Sequence, residues 1–185
     1  MKQAIFFIFC ILIWKNSNSQ SHIAGILPLK EGKVSYEGVI PLDSVSKNEL
    51  YVRAQRWFIH TYSSANDVIQ YEDKEGGQLI GKGVFTVYWK INRSSGRTLP
   101  VYHTIDIRIK EGRYKLIISD FRVKYFNPEE TSSFIPKDVD STLEVWLANW
   151  NSEVNEQLCP QIDKEVRNLI SSLKTSMSKD SKEGV

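Results

Sequence analysis

The stretch Val101-Tyr102-His103-Thr104-Ile105-Asp106-Ile107-Arg108-Ile109-Lys110, then Glu111-Gly112, then Arg113-Tyr114-Lys115-Leu116-Ile117-Ile118-Ser119-Asp120-Phe121-Arg122-Val123, decides the fold. Apolar and polar residues alternate toward the turn from both sides, which is the period of a strand with one buried face. Glu111-Gly112 supplies a two-residue turn, the shortest link between antiparallel neighbours. Such a turn fixes a register in which Lys110 faces Arg113 and each outer pair follows in step. Val101, His103, Ile105, Ile107 and Ile109 then share a face with Tyr114, Leu116, Ile118, Asp120 and Arg122. Near the turn that face is apolar, so it is the one that helices must cover.

Upstream, Val68 to Asp73 and Leu79 to Ile91 flank Gly76-Gly77, a second hairpin signal. Before it, Ser46-Lys47-Asn48-Glu49 spells a capping box, and Leu50, Ala54, Trp57, Phe58 and Thr61 make one helical stripe with Arg53, Arg56 and His60 beyond its edge. Lys33 to Ile40 alternates as a first strand. Downstream, Leu143, Trp146, Leu147, Trp150, Val154 and Leu158 form a stripe, and Ile162, Val166, Leu169, Ile170, Leu173 and Met177 form another, about 110° around. A single straight helix cannot bury both, so two helices are expected to meet at Cys159-Pro160. The order strand, helix, four strands, helices implies an α+β fold: a single, largely antiparallel sheet with its helices on one face.

The N-terminus reads as a secretory signal over residues 1–20, because Lys2 precedes an apolar run from Ala4 to Trp14 that ends in Asn16, Ser17, Asn18 and Ser19. Those eleven residues span about 16 Å as a helix, roughly half a bilayer core, so no transmembrane span is expected after the signal is removed. Removal takes Lys2 and Lys15 and leaves 22 basic against 22 acidic residues, a net charge of zero. A neutral exported domain has no electrostatic footprint for nucleic acid. Of the two cysteines only Cys159 remains, which excludes an internal disulfide and a zinc–cysteine cluster. Residues 21–177 read as one domain and 178–185 as a polar tail, with export to the periplasm, cell envelope or exterior.

The segments Leu27-Pro28-Leu29-Lys30-Glu31-Gly32-Lys33-Val34-Ser35-Tyr36-Glu37-Gly38-Val39, Asp67-Val68-Ile69-Gln70-Tyr71 and Ile80-Gly81-Lys82-Gly83 together resemble an uncharacterised family of secreted bacterial proteins, found mainly in Bacteroidetes. That family is a domain of unknown function, DUF4468, with a TATA-binding-protein-like fold. The resemblance implies a fold and a compartment and brings no activity or catalytic residues with it.

Three functional readings follow. The hairpin register sets His103 opposite Asp120, the orienting half of a triad or a general-base dyad for a small hydrolase or isomerase. No Gly-x-Ser-x-Gly elbow or His-Glu-x-x-His motif accompanies the pair, so an enzyme is not the favoured class and neither cofactor nor metal is expected. A carrier of a lipid or other apolar ligand needs a cavity beneath the helices. The favoured reading is a non-catalytic binding domain whose uncovered sheet face meets an envelope protein or polymer. Its candidate residues are Tyr88, Lys90, Tyr102, Arg108, Lys115, Ile117 and Phe121, aromatics rimmed by cations. Trp57, Trp89, Trp146 and Trp150 fall on apolar stripes and read as core, as does Cys159.

Overall fold

The computed structural model describes residues 26–62, 68–126 and 138–179, so the leader expected at 1–20 and the tail beyond Lys179 lie outside the described residues. A small hairpin, β1 (Leu29–Lys30) and β2 (Lys33–Val34), precedes β3 (Tyr36–Pro41) and α1 (Lys47–Thr61). Four strands follow: β4 (Ile69–Asp73), β5 (Gln78–Lys90), β6 (Gly96–Lys110) and β7 (Arg113–Phe126). The chain then runs through β8 (Asp138–Thr142), α2 (Leu143–Ala148) and α3 (Ser152–Ser178). The main sheet is antiparallel in the order β3-β7-β6-β5-β4, with β8 beside the far half of β7. The expected α+β architecture is present, and β8 and the small hairpin add to it.

Helix α1 begins where its sequence asks it to, with the Ser46 hydroxyl accepting from the Glu49 N–H at 3.3 Å. Leu50, Ala54, Trp57 and Phe58 are buried in the core between helices and sheet. Arg53, read as lying beyond the stripe, is buried as well. Its guanidinium donates to the Glu49 carboxylate at 2.8 Å and to the Met177 carbonyl at 2.7 Å. That carbonyl lies in the last turn of α3, where helical acceptors run out of partners, so a buried cation there joins the two helices.

The break expected at Pro160 is not there. Helix α3 runs through Pro160 from Asn151, whose side chain caps the Val154 N–H at 3.1 Å, and the chain interrupts its helices at Asn149–Asn151 instead. Pro160 lies on the exposed side, where water can serve the Glu156 carbonyl that the ring deprives of its donor, and the Gln161 side chain donates to the next carbonyl, Gln157, at 2.8 Å. The break divides the first stripe instead: Leu143, Trp146 and Leu147 are buried on α2, whereas Leu158 of that stripe is buried on α3 together with Ile162, Val166, Leu173 and Met177 of the second.

The decisive hairpin follows its predicted register from Lys110↔Arg113 to Thr104↔Ser119 and then slips by one, resuming at Tyr102↔Arg122 and Val101↔Val123. The extra residue is Asp120, with φ of 54° in the left-handed region that Asp tolerates better than most side chains. Beyond this bulge Phe121, Arg122 and Val123 take the faces opposite to those the register assigned them. Phe121, expected on the open face, is core, and Arg122, expected in the core, lies outside and pairs with Asp140 of β8. The bulge falls between the part of β7 that pairs with β3 and the part that pairs with β8.

Candidate functional site

The bulge dissolves the expected dyad, because His103 points into the core while Asp120 is exposed. Phe85, His103 and Phe121 stand in a row across β5, β6 and β7, with ring centroids 5.2 and 6.0 Å on either side of the imidazole. The hydroxyl of Tyr62 at the end of α1 stands 3.1 Å from Nε2, and the Val101 backbone is a second polar neighbour, although Nδ1 is buried with no hydrogen bond of good geometry among the described residues. Gly83 makes that contact possible, since a Cβ there would stand 2.7 Å from Nε2 and closer still to the Tyr62 hydroxyl. Burial pushes the His103 pKa down to about 4 against a weaker upward pull from the Val101 backbone. A carboxylate beside the ring would have raised it. The site is a neutral imidazole locked in an aromatic row, without the aspartate the dyad requires.

Beneath the helices the described apolar side chains pack against the sheet. Leu50, Phe58, Leu158, Ile162 and Val166 from the helices share one buried cluster with Leu79, Ile105, Ile107 and Ile118 from the sheet. Cys159 lies in the same cluster, and burial pushes its thiol up to about 11. A thiol so protonated and covered is a poor nucleophile. Protein lacking residues 1–20, and with them Cys10, should therefore migrate identically with and without reductant and resist iodoacetamide until denatured; a reductant-sensitive dimer would place the Cys159 thiol at the surface.

On the opposite face no described helix covers the sheet. Tyr88 is 55% exposed, Val84 46% and Tyr102 40%, and Val84 pairs directly with Tyr102 across β5 and β6. The Tyr88 ring lies over Gly96, the space a side chain there would take. Lys90 is exposed beside it. The other candidate cations are engaged: Arg108 with Asp106 at 2.8 Å and Lys115 with Glu37 at 3.2 Å. Ile117, opposite Asp106 and Glu37, is half-buried among these charged neighbours. The structure therefore gathers Val84, Tyr88, Lys90 and Tyr102 at one end of the face, sets Arg108, Lys115 and Ile117 in a charge-balanced band at the other, and removes Phe121. Val84 had not been singled out, although its parity matches that of Tyr88.

A further feature went unread in the sequence. Beyond Gly81, β5 has no β4 partner, and the outward backbone groups of Tyr88 and Lys90 meet α3 instead. The Gln161 amide accepts from the Tyr88 N–H at 3.0 Å and donates to its carbonyl at 2.9 Å, and Gln157 does the same at Lys90 with 2.5 and 3.4 Å. Two glutamines one helical turn apart thus take the place of a strand. The i, i+4 spacing was visible, but nothing in it named the edge it serves.

An antiparallel sheet carrying its helices on one face and leaving the other bare is the arrangement of TATA-binding-protein-like domains. Residues 36–124 match the family model of a domain of unknown function (DUF4468) with TBP-like fold. Solved structures share this fold. A DUF4468 family protein from Bacteroides ovatus is similar with a TM-score of 0.66 at 13% identity, over 90% of this chain and 99% of that one. A TBP-like protein from Parabacteroides distasonis is similar with a TM-score of 0.63 at 18% identity, over 84% of this chain and 99% of that one. No curated protein matches the chain. At these identities the likeness concerns the fold alone.

Proposed function

We propose that this is an exported, non-catalytic binding domain of the cell envelope, and that it meets its partner, a protein or polymer, with the bare sheet face at Val84, Tyr88, Lys90 and Tyr102. The observation that carries this reading is the aromatic and aliphatic exposure at one end of a face that no described helix covers. Tyrosine brings a large contact area at small entropic cost, and such rings gathered in one place are enriched at interaction sites. The export half of the reading rests on the Lys2-to-Gln20 leader pattern and on the neutral charge left without it.

Two experiments bear on the two halves separately. N-terminal sequencing of protein recovered from cell fractions should begin near Gln20 or Ser21, and an intact Met1 would end the export reading. For the face, Tyr88→Ser with Tyr102→Ser should leave the thermal melt unchanged, since both side chains are exposed, and weaken capture of the envelope partner by about tenfold or more. Undiminished capture by the folded double variant would move the site elsewhere.

A further inference from the structure

The sheet has another edge that no described segment closes. β3 hydrogen-bonds to β7 through its even-numbered residues, as the Leu42 N–H shows by continuing the ladder to the Gly112 carbonyl at 2.7 Å. Glu37, Val39 and Pro41 therefore aim their backbone groups away from the sheet. Ser35, the outward residue before them, already donates to the Pro28 carbonyl at 3.0 Å, whereas Glu37 and Val39 have no backbone partner among the described residues. Proline at the third outward position fits, because no N–H is required of it there. β5 closes its edge with two glutamine amides; β3 leaves its own open.

We propose that the β3 edge takes an extended acidic peptide of a partner protein as an added strand. Beside the edge runs a groove of about 550 Å³ between β3 and α3, floored by Tyr36, Ile40 and Leu116 and walled by Arg167, Ile170 and Lys174. Gly38 leaves a notch in that floor: a Cβ built there meets only Ile40 at 3.9 Å, so the space is free for an incoming side chain. The charges favour acid. Four cations, Lys30, Lys115, Arg167 and Lys174, surround the edge against three carboxylates, Glu37, Asp163 and, beside Lys30, Glu31. Glu37 is neutralised by Lys30 at 2.7 Å and Lys115 at 3.2 Å, and Asp163 by Arg167 at 2.6 Å, which leaves Lys174, with no ion-pair partner among the described residues, to meet an incoming carboxylate. A second copy of the chain fits less well. Pairing β3 with β3 would bring Arg167 and Lys174 of each copy to the same side of the joint, cation against cation. Main-chain hydrogen bonds from Glu37 and Val39 would supply the affinity, and the notch with its cationic wall the selectivity.

The test is fluorescence anisotropy of the purified protein with two labelled hexapeptides, one alternating Glu with Val and the other Lys with Val. The acidic peptide should bind saturably and the basic one about tenfold more weakly or less. Val39→Pro deletes an outward N–H and spares the β7 ladder, Gly38→Ile fills the notch, and Lys174→Glu reverses an exposed charge; each should weaken binding by about tenfold. The Tyr88→Ser, Tyr102→Ser protein should bind the acidic peptide unchanged, which separates this site from the bare face. Absence of saturable binding overturns the proposal, as does full binding by both Val39→Pro and Lys174→Glu proteins that melt like the parent. A sedimentation dimer lost in Val39→Pro would make the second copy the occupant and overturn it as well.

Discussion

Lowering the pH from about 7 to about 4 should cost this protein about 3 kcal/mol of stability through His103 alone. In the folded chain burial lowers the imidazole pKa to about 4, whereas the unfolded chain titrates at the ordinary value of 6.5. Between those two values the unfolded state binds a proton that the folded state refuses. The stability is whole above pH 6.5, declines as pH falls toward 4, and levels off below. The ion-paired carboxylates Glu37 and Asp140, whose pKa values their Lys and Arg partners lower, add an acid loss of their own nearer the bottom of that window. Both are exposed, so their share is small, and the range from about 5 to 6.5 belongs mainly to His103. His103→Gln keeps a polar atom near the Tyr62 hydroxyl without titrating. Urea unfolding of this variant should show a flat stability from about pH 7 to pH 5 where the parent slopes. A parent curve that is flat over the same range would mean the imidazole charges inside the fold, and the catalytic reading of His103 would have to be reopened.

Much of this fold is legible because period, turns and caps agree. The even residues of β5 lie where alternation puts them, and Trp57, Trp89 and Trp146 are core as their stripe or alternation asks while Trp150 is half-buried, and the Ser46 cap stands where its sequence puts it. The candidate site was less legible, and one residue accounts for most of the gap. Apolar parity in β7 runs even through Tyr114, Leu116 and Ile118, then odd through Phe121 and Val123. That switch is the signature of a bulge, and Asp120 between the two runs is a residue type that accepts a positive φ. Extending the turn register past the switch reversed the faces of Phe121 and Arg122 and created an apparent His103–Asp120 pair. Pro160 misled for a different reason. The cost of a proline inside a helix depends on which side its orphaned carbonyl faces, and that is a property of the packed helix rather than of the sequence around it. The glutamine pair on β5 needed the tertiary meeting of α3 with an edge whose β4 partner had ended.

Trp89→Ala should be among the costliest single truncations in the domain, at about 3–5 kcal/mol. Trp89 is buried at the end of β5 with its ring 5.8 Å from Trp146 and 4.7 Å from Trp150, both edge-on, and those two rings are 5.7 Å apart. Helix α2 has only six residues, too few to hold helical structure alone, so its place depends on such contacts. Removing the indole leaves a void where three aromatic rings converged, and rings in this geometry contribute about 0.5–1.5 kcal/mol per pair beyond their burial. Trp150, half-buried in the link between α2 and α3, should cost less when truncated in the same way, roughly 1–2 kcal/mol. Urea unfolding at neutral pH measures both losses, and near-UV circular dichroism should fall in the Trp89 variant before unfolding begins. A cost for Trp89 no greater than that for Trp150 would show that the cluster does not hold α2. The consequence reaches the surface, because Tyr88 is the next residue on β5 and its backbone is held by Gln161. Loosening β5 at Trp89 should therefore weaken partner capture at the Tyr88–Tyr102 face, while acidic-peptide binding at β3, which depends on Arg167 and Lys174 farther along α3, persists in whatever fraction remains folded.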